Sequence, residues 1–304
     1  MSKTILAIIE TDGFSEQVAN RAAWIAKRYE CDVELFFSDP TLGFLRDSFM
    51  ISVDARQLSD GIRRAQEESL ANLASGIAET GVTVTTSISH DRPASDAIVA
   101  RALECDPMFV FKGTAYHSPA ERATFTFTDW QLIRKLDYPL WLVKSRQWKD
   151  KPLIVAAVDP VHEKDKEGAL DQAIVDAGKS IAEKCGGTLH LLHTYQRLHE
   201  IGAYAKFQFK PTRAPIEEIE AKMRTVHRRH LDAFAARNEI DADAIHQLPG
   251  RTREILPTFV RANGADLVIM GAVARSGLKR RIIGSTAEHV LDHLPCDILI
   301  ARSA

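Results

Sequence analysis

The feature that most constrains the fold of this chain is a series of short strand-like runs separated by segments with helical periodicity. In the first half these runs are Ile5–Ile9, Val33–Phe37, Val82–Ser87, Met108–Phe111 and Leu140–Val143. Continuous apolar runs are typical of strands covered on both faces, and helical crossovers connect strands that run parallel. The pattern therefore predicts an α/β fold built on an open parallel sheet.

The second half repeats this order, with strands predicted at Leu153–Val158, Leu189–His193, Leu267–Met270 and Ile298–Ile300. Gly113 and Gly271 each follow a strand, and Leu140 and Ile298 each begin one; both pairs are separated by 158 positions. A constant offset indicates an internal duplication. A chain of 304 residues has room for two domains, and we place them at 1–146 and 151–304, with a junction at Arg146–Lys151.

Amphipathic segments fill the intervals between the strands, and two longer stretches do not fit the alternation. The predicted helices are Glu16–Lys27 with Ser15 as N-cap, Ala55–Thr80 ended by Gly81, Pro93–Cys105, Asp129–Leu136 with Thr128 as N-cap, Asp171–Lys184, Pro215–Asn238, Thr252–Asn263 and Ala287–His293. The insertions at Ser38–Val53 and Tyr195–Ala214 are either functional lids or surface decoration, and the sequence leaves both interpretations open.

Composition excludes some classes of protein. The net charge of −2 gives no overall cationic field, so nucleic acid is not an expected partner. No run of 18 apolar residues is present, so no membrane span is expected, and the short apolar run near Met1 is read as a first strand rather than a signal peptide. The four cysteines are scattered without a CxxC pair, which predicts reduced core thiols in a cytoplasmic protein.

The strongest functional signal lies in residues 266–300, DLVIMGAVARSGLKRRIIGSTAEHVLDHLPCDILI. A buried strand ends at Met270-Gly271, a loop follows with Gly277 and the basic run Lys279–Arg281, and Gly284-Ser285-Thr286 opens a helix. Glycines let the backbone approach a ligand closely, and a helix N-terminus suits phosphate. An ordinary strand–loop–helix connection capped by Ser285 remains an equal alternative.

The same segment resembles the nucleotide loop of the universal stress protein family, G-x2-G-x9-G-[ST]. Gly271 matches the first glycine, Ala274 stands at the second, and Gly284-Ser285 match the last pair. The stretch FTFTDWQLIRKLDYPLWLVK in the first half resembles the tandem two-domain members, and the likeness covers nearly the whole chain. It implies two five-stranded parallel sheets of the adenine nucleotide alpha hydrolase-like type. Many members of the family bind ATP, and others do not.

The resemblance implies a nucleotide site in the second domain. Asp159 matches an acidic residue near the adenine, and Thr194 replaces an apolar adenine contact. Ala274 weakens the expected binding of ATP with Mg²⁺, because a backbone position that needs a positive φ disfavours a residue with a Cβ atom. The full set of expected nucleotide-binding residues is Asp159, Thr194, Met270, Gly271, Ala274, Gly277, Gly284, Ser285 and Thr286.

The first domain departs further from the family motif. Gly113 is kept, but Tyr116 and Thr126 stand at the second and third glycines, and Phe127 replaces the serine. Large side chains fill a phosphate loop, so this domain is not expected to bind ATP in the family manner. Lys112, Thr128 and Asp129 are expected to line a polar cleft at the strand ends.

Several histidines and carboxylates have two interpretations each. His227 and His230, spaced i and i+3 on a helix, suit a shared metal, but the adjacent Arg228 and Arg229 favour a solvated basic face. His190 and His193 lie three apart on a strand and so face opposite sides. The carboxylates Glu10, Asp12 and Asp159 near first-strand ends suit acid–base chemistry, helix capping or ligand contact. We assign no catalytic residue and no metal ligand.

Three functions remain open from the sequence. The first is a stress-response binding module that responds to a small-molecule ligand, a nucleotide in domain two, without strong catalysis. The second is a slow ATPase, which lacks an obvious general base beside the loop. The third is a binder of a larger, partly apolar ligand. The closing strands Leu140–Val143 and Ile298–Arg302 are expected to pair the two domains within one chain, and a homodimer is a further expectation.

Overall fold

The computed structural model of the chain describes residues 3–11, 13–40, 42–43, 53–114, 128–161, 166–197, 216–271 and 285–302. Over these ranges the chain alternates strands with helices. The strands are β1 (Thr4–Ile9), β2 (Asp32–Ser38), β3 (Val84–Ser89), β4 (Phe109–Gly113), β5 (Leu140–Val143), β6 (Leu153–Ala157), β7 (Thr188–Tyr195), β8 (Ile245–Pro249), β9 (Leu267–Met270) and β10 (Asp297–Ile300). The helices are α1 (Ser15–Tyr29), α2 (Val53–Ala78), α3 (Ala94–Cys105), α4 (Thr128–Lys135), α5 (Lys166–Cys185), α6 (Ile216–Arg237), α7 (Thr252–Asn263) and α8 (Ser285–His293).

The chain divides into two compact units. Unit 1 contains the described residues up to Arg146 together with β10, and unit 2 contains those from Gln147 to Gly271 together with α8 and Ala301. Strand β10 stands at the end of the sequence, yet it groups with unit 1. The reason is its antiparallel ladder with β5, in which Leu299 lies opposite Trp141.

The sheet of unit 1 has the strand order β3-β2-β1-β4-β5-β10. The first five strands run parallel, with Ile5 opposite Val33 on one side and opposite Phe109 on the other. The chain leaves β1 first toward β2 and later returns to place β4 on the other side. The connection direction therefore reverses between β1 and β4, and ligands of open α/β sheets bind at such a point.

The core of unit 1 is formed by the central strands. Every residue of β1 from Ile5 to Ile9 is buried, as is every residue of β5. The rings of Phe111 and Trp141 stack with centroids 4.8 Å apart, and both side chains are fully buried. Burying large aromatic side chains of this kind dominates core stability, so the apolar runs of the sequence account directly for the sheet.

Unit 2 carries four parallel strands in the order β9-β6-β7-β8. Strand β6 is central, with Ile154 opposite both Leu189 of β7 and Leu267 of β9. The connection direction reverses between β6 and β9, which makes their carboxyl ends the equivalent ligand position of this unit. The α/β fold with mostly parallel sheets, predicted from the sequence, is confirmed.

Strand β8 is absent from the sequence prediction. Its sequence IHQLP has no apolar run, all five of its residues are only half-buried, and it pairs with β7 alone within the described sheet. A strand at the edge of a sheet needs little apolar surface, so its hydrophobic pattern is weak. The structure, rather than the periodicity, reveals it.

Helix boundaries differ from the prediction at α1. Ser15 is the first helical residue rather than the N-cap; Phe14 holds the cap position, without a capping side-chain hydrogen bond. The Ser15 hydroxyl donates instead to the Glu10 carbonyl at 2.8 Å. That carbonyl follows the end of β1 and needs a donor, so the serine joins the strand end to the helix start. Thr128 is likewise the first residue of α4.

The cysteines are free in the described residues, as the scattered pattern predicts. Cys31, Cys185 and Cys296 are buried, and Cys105 is half-buried. Burial raises the pKa of the Cys31 and Cys105 thiols to about 11. Thiols with raised pKa values are weak nucleophiles, so these two serve packing. In the described part of the chain, none of the helices combines the length and the apolar character that crossing a membrane requires.

Candidate functional site

The ends of three strands bring the described part of the expected nucleotide site together in unit 2. Asp159 follows the central strand β6, Thr194 lies near the end of β7, and Met270-Gly271 close β9. Strands β7 and β9 flank β6, so these residues share one edge of the sheet at its topological switch point. The sequence predicts that each of these residues lies at a strand end, and the fold makes those strands neighbours, although Thr194 and Gly271 are 35 and 112 positions from Asp159.

Asp159 is held by its backbone while its carboxylate stays accessible. Its N–H donates to both carboxylate oxygens of Asp171 on α5, at 3.2 Å each. The Asp159 side chain is 35% exposed, whereas Asp171 is buried. The Asp171 carboxylate therefore fixes the backbone at the end of β6, and the Asp159 carboxylate beside it is partly exposed to solvent.

Thr194 does not offer a simple apolar contact. Its hydroxyl lies 2.6 Å from the hydroxyl of Thr252, the first residue of α7, and each side chain is half-buried. Gly250, which precedes that helix, adopts a φ of +131° and donates its N–H to the Tyr195 carbonyl at 2.8 Å. A glycine is required at such a φ, so the end of β7 is bound tightly to the start of α7.

Met270 and Gly271 supply the backbone at the third strand end. Met270 is buried, and its carbonyl accepts the Ala301 N–H at 3.0 Å. A Cβ on Gly271 would stand 2.6 Å from Cδ2 of Leu170 on α5. The missing side chain therefore lets Leu170 pack against the strand end, and any larger residue displaces it.

The rest of the expected loop is outside the described residues. This holds for Ala274, Gly277 and Gly284, and for the basic run Lys279–Arg281. Ser285 and Thr286 form the first positions of α8. In the first half, Asp12, Tyr116, Thr126 and Phe127 also lie outside the described residues.

A hydrogen-bonded pair of histidines, one buried and one half-buried, lies next to Asp159. His193, on β7, is fully buried; its Nδ1 lies 3.1 Å from the Val158 carbonyl and 3.7 Å from Oδ1 of Asp159. Its Nε2 lies 2.7 Å from Nδ1 of His227 on α6, and the two rings stack with centroids 5.0 Å apart. Sequence reasoning assigned His227 to a solvated face together with Arg228. The structure corrects this, because His227 turns toward the strand while Arg228 and Arg229 stay exposed.

A second histidine pair joins β7 to β8. Nδ1 of His190 lies 2.8 Å from Nε2 of His246, and the His246 ring packs against Phe259 of α7. Burial lowers the pKa of both imidazoles. His190 and His193 thus contact different partners, as their spacing on a strand predicts. Among the described residues there is no cluster of three or more histidine, cysteine or carboxylate side chains that could hold a metal ion.

The equivalent position of unit 1 is filled by the protein itself. Lys112, at the end of β4, is buried, and its Nζ lies 2.6 Å from Oε2 of Glu10 and 3.3 Å from Oδ1 of Asp129. The Thr114 hydroxyl donates to the other Asp129 oxygen at 2.7 Å. The expected polar cleft lined by Lys112 and Asp129 is therefore a closed ionic cluster, in which the Lys112 ammonium lies between two carboxylates at the switch point. The structure describes no contact of the Thr128 side chain there.

A groove borders the unit 2 site at the carboxyl ends of β7 and β8. It has a volume of about 330 Å³ and is lined by Tyr195, Arg197, Glu217, Glu220, Ala221, Arg224 and Pro249. Two arginines face two glutamates there, so the groove is polar and its charge is balanced. Sequence reasoning missed this groove because its residues come from three separate segments of the chain, the end of β7, helix α6 and the end of β8.

Comparison with known proteins identifies the architecture. The model of the "Universal stress protein family" matches residues 1–144 and 153–302. The chain is 25% identical to "Universal stress protein E" of Salmonella typhi, over 99% of this chain and 95% of that protein, and 24% identical to the Escherichia coli K12 protein of the same name, over 99% and 94%. A putative universal stress protein from Pseudomonas aeruginosa UCBPP-PA14 has the same fold, with a TM-score of 0.73, 23% identity, and coverage of 99% of this chain and 93% of that one.

Proposed function

The chain belongs to the universal stress protein family, and on that premise we propose that it is a ligand-binding stress-response protein whose unit 2 binds an adenine nucleotide such as ATP. The ligand occupies the cleft at the carboxyl ends of β6, β7 and β9. Binding, rather than turnover, is its role, and unit 1 takes no nucleotide. Mg²⁺ enters with the phosphates of the nucleotide.

The observation that carries this proposal is the contrast between the two switch points. In unit 2, Asp159 presents a side chain that is 35% exposed, beside strand β9, which Gly271 directly follows. In unit 1, the carboxylate that follows the first strand, Glu10, is paired with Lys112, which is buried at the end of β4 and also contacts Asp129. A nucleotide needs an accessible hydrogen-bond acceptor, and of these two arrangements only the one in unit 2 offers it.

Polar specificity in unit 2 comes from few groups. Asp159 accepts hydrogen bonds from the base or ribose, and the Thr194 hydroxyl, held by Thr252, adds a second polar contact. Ser285 and Thr286, at the start of α8, lie where a helix N-terminus favours phosphate. A ligand held in this way is recognised through the hydrogen-bonding groups of its base, ribose and phosphates, as expected for an adenine nucleotide.

Calorimetric titration of the full-length chain with ATP and Mg²⁺ tests the proposal. We expect micromolar binding that falls about tenfold or more in Asp159→Ala, because a hydrogen bond to a charged group contributes about 1.5–3 kcal/mol. Asp91→Ala is the matched control: Asp91 is an exposed carboxylate just after strand β3 of unit 1, and its removal leaves the affinity unchanged.

Photocrosslinking locates the site in the same preparation. An azido-ATP probe is expected to label peptides of unit 2 that contain Asp159 or Thr194, and not the unit 1 peptide that contains Lys112. Absence of ATP, ADP and AMP binding to the wild type would overturn the proposal, and labelling confined to unit 1 would contradict its assignment to unit 2.

A further inference from the structure

A further groove of unit 2 lies between helix α6 and strand β8, and arginines dominate its lining. Its volume is about 650 Å³, within the range of about 300–1,000 Å³ that small-molecule sites occupy. We call it the arginine groove; it is lined by Arg224, Thr225, Arg228, Arg229 and Asp232 of α6 and by Gln247 of β8. It shares none of these lining residues with the strand-end cleft proposed for the nucleotide.

Helical spacing places the α6 residues of the groove on one face of the helix. Arg224, Arg228 and Asp232 follow one another at intervals of four, and Thr225 and Arg229 form a second row of the same spacing beside them. Residues four positions apart lie one turn apart on the same face of a helix. All five side chains are exposed, so a ligand in solution can reach them.

Two polar contacts fix the frame of the groove. Nε2 of Gln247 donates to the Arg224 carbonyl at 3.0 Å, which joins strand β8 to helix α6. Nε of Arg228 lies 2.8 Å from Oδ1 and 3.0 Å from Oδ2 of Asp232. The carboxylate therefore holds the Arg228 guanidinium through its Nε, and no other group in the described part of the chain contacts that guanidinium.

Positive charge exceeds negative charge in this groove. Three guanidinium groups and one carboxylate leave two positive charges, and that carboxylate, Asp232, is already paired with Arg228. Across the described residues, the guanidinium groups of Arg224 and Arg229 form no ion pair and no hydrogen bond. Arg224 and Arg228 are also like charges at i and i+4, a spacing that destabilises a helix. An anion in the groove would relieve this repulsion.

The type of cation and its spacing favour an anion with several linked phosphates. The planar guanidinium presents parallel N–H donors that match the oxygens of a phosphate, whereas the lysine of this helix, Lys222, lies outside the groove lining. From Arg224 to Arg229 the helix rises about 7.5 Å, at about 1.5 Å per residue. That length suits two or more linked phosphate groups better than a single phosphate.

We propose that the arginine groove is a second ligand site of unit 2, and that Arg224, Arg228 and Arg229 bind a small anion with two or more linked phosphate groups. Asp232 and Gln247 are positioning residues, since the first holds the Arg228 guanidinium and the second holds the helix against β8. The inference goes beyond the proposed function, because this recognition needs neither a base nor a residue of the strand-end cleft. Binding weakens as the ionic strength rises, since salt screens exposed charges.

Titration of the full-length protein with sodium tripolyphosphate, followed by ¹H–¹⁵N NMR, tests the groove. We expect saturable shifts of the Nε–H signals of Arg224, Arg228 and Arg229 at about 50 mM salt, and weaker binding at about 500 mM. Arg224→Gln and Arg229→Gln are each expected to lower the affinity about fivefold, the effect of one exposed charge pair. Arg237→Gln is the matched control: Arg237 is an exposed arginine of α6 that lies over the Phe234 ring, outside the groove lining.

The same spectra report the groove and the strand-end cleft separately. Because the substituted side chains are exposed, the variants are expected to keep the fold, and unchanged signals away from the groove check this. Shifts confined to the amides near Asp159 and Thr194, with equal affinity in the wild type and in the Arg224 and Arg229 variants, would overturn the inference and leave the proposed function standing. Binding of a single-stranded oligonucleotide without any binding of tripolyphosphate would also overturn it.

Discussion

Arg21 and Asp297 form a buried ion pair in unit 1, with Nη1 of Arg21 2.7 Å from Oδ2 of Asp297, although 276 positions separate them in the sequence. The Asp297 carboxylate also accepts hydrogen bonds from Nε1 of Trp141 at 3.1 Å and from the Lys144 N–H at 2.9 Å. Arg21 donates a further bond to the Arg146 carbonyl. This cluster fixes the first residue of β10 to helix α1 and to the end of β5.

Asp297 gives unit 1 a definite pH dependence. Burial raises the pKa of its carboxyl from 3.8 to about 6, although Arg21 and the two hydrogen bonds oppose the shift. The folded state therefore holds this proton more tightly than the unfolded state. The contribution of Asp297 to the free energy of unfolding is largest below pH 4 and is lost as the pH rises through 6, by on the order of 3 kcal/mol.

Arg21→Met is expected to destabilise unit 1 strongly at pH 8 and weakly at pH 5. Without the guanidinium, the ionised carboxylate is buried and unpaired, which costs about 3–5 kcal/mol, whereas protonation at low pH removes that charge. Urea unfolding followed by tryptophan fluorescence at the two pH values measures the difference. Lys27→Met removes an exposed charge from the same helix and is the control. Equal losses at pH 8 and pH 5 would contradict the assignment.

Lys112→Met tests the ionic cluster that fills the switch point of unit 1. The substitution leaves Glu10 and Asp129 facing each other without their cation, and we expect a loss of about 3–5 kcal/mol in the free energy of unfolding. Lys135→Met is the matched control, because Lys135 pairs with Asp96 at the surface, where such pairs contribute about 1 kcal/mol or less. Similar losses in the two variants would show that the cluster has no structural role.

Gly271→Ala tests the close approach of α5 to the third strand end. The new Cβ would stand 2.6 Å from Leu170, and overpacking of this kind costs about 1–3 kcal/mol. In a Leu170→Ala background the same substitution is expected to cost much less, so the two changes are not additive. Chemical denaturation of the single and double variants gives the interaction energy. Additive effects would mean that another neighbour limits the space at Gly271.

The His190–His246 pair predicts acid sensitivity at the edge of unit 2. Burial lowers the pKa of both imidazoles below the ordinary value of 6.5, so the unfolded state binds protons that the folded state does not. The stability from these groups is complete above that value and is lost as the pH falls below it. Protection of the β8 amides against hydrogen exchange is expected to fall between pH 7.5 and pH 5.5, and His246→Asn reduces that fall. A protection factor that does not change with pH in the wild type would refute the prediction.

For the expected nucleotide-binding residues, the sequence predicts the position on a strand but not the side chains around it. The placement of Asp159, Thr194 and Gly271 at strand ends followed from the order of apolar runs, because parallel strands end at a common edge, whereas the pairing of β9 with β6 is a choice of topology. The partners of these residues did not follow. Asp171 behind Asp159, Thr252 against Thr194 and Leu170 against Gly271 come from helices whose rotation about their axes depends on packing.

In the first domain, too, the sequence predicted the departure from the family motif but not the contacts of the residues at the strand ends. The motif at Gly113 predicted that unit 1 departs from nucleotide binding, but Lys112 and Asp129 were read as the lining of an open cleft. Their pairing with Glu10 requires β1 and β4 to be neighbours in the sheet, which is a choice of topology. Charge types alone cannot distinguish an open polar cleft from a closed ionic cluster.

By itself the sequence determined the α/β class, the duplication and most of the strands, because these follow from local hydrophobic periodicity and from the length of the crossovers. Only the tertiary structure decided that β10 joins unit 1, that β8 is a strand and that His193 pairs with His227. Each of these depends on contacts between segments far apart in the chain. Their energies come from burial and hydrogen bonding that no local pattern records.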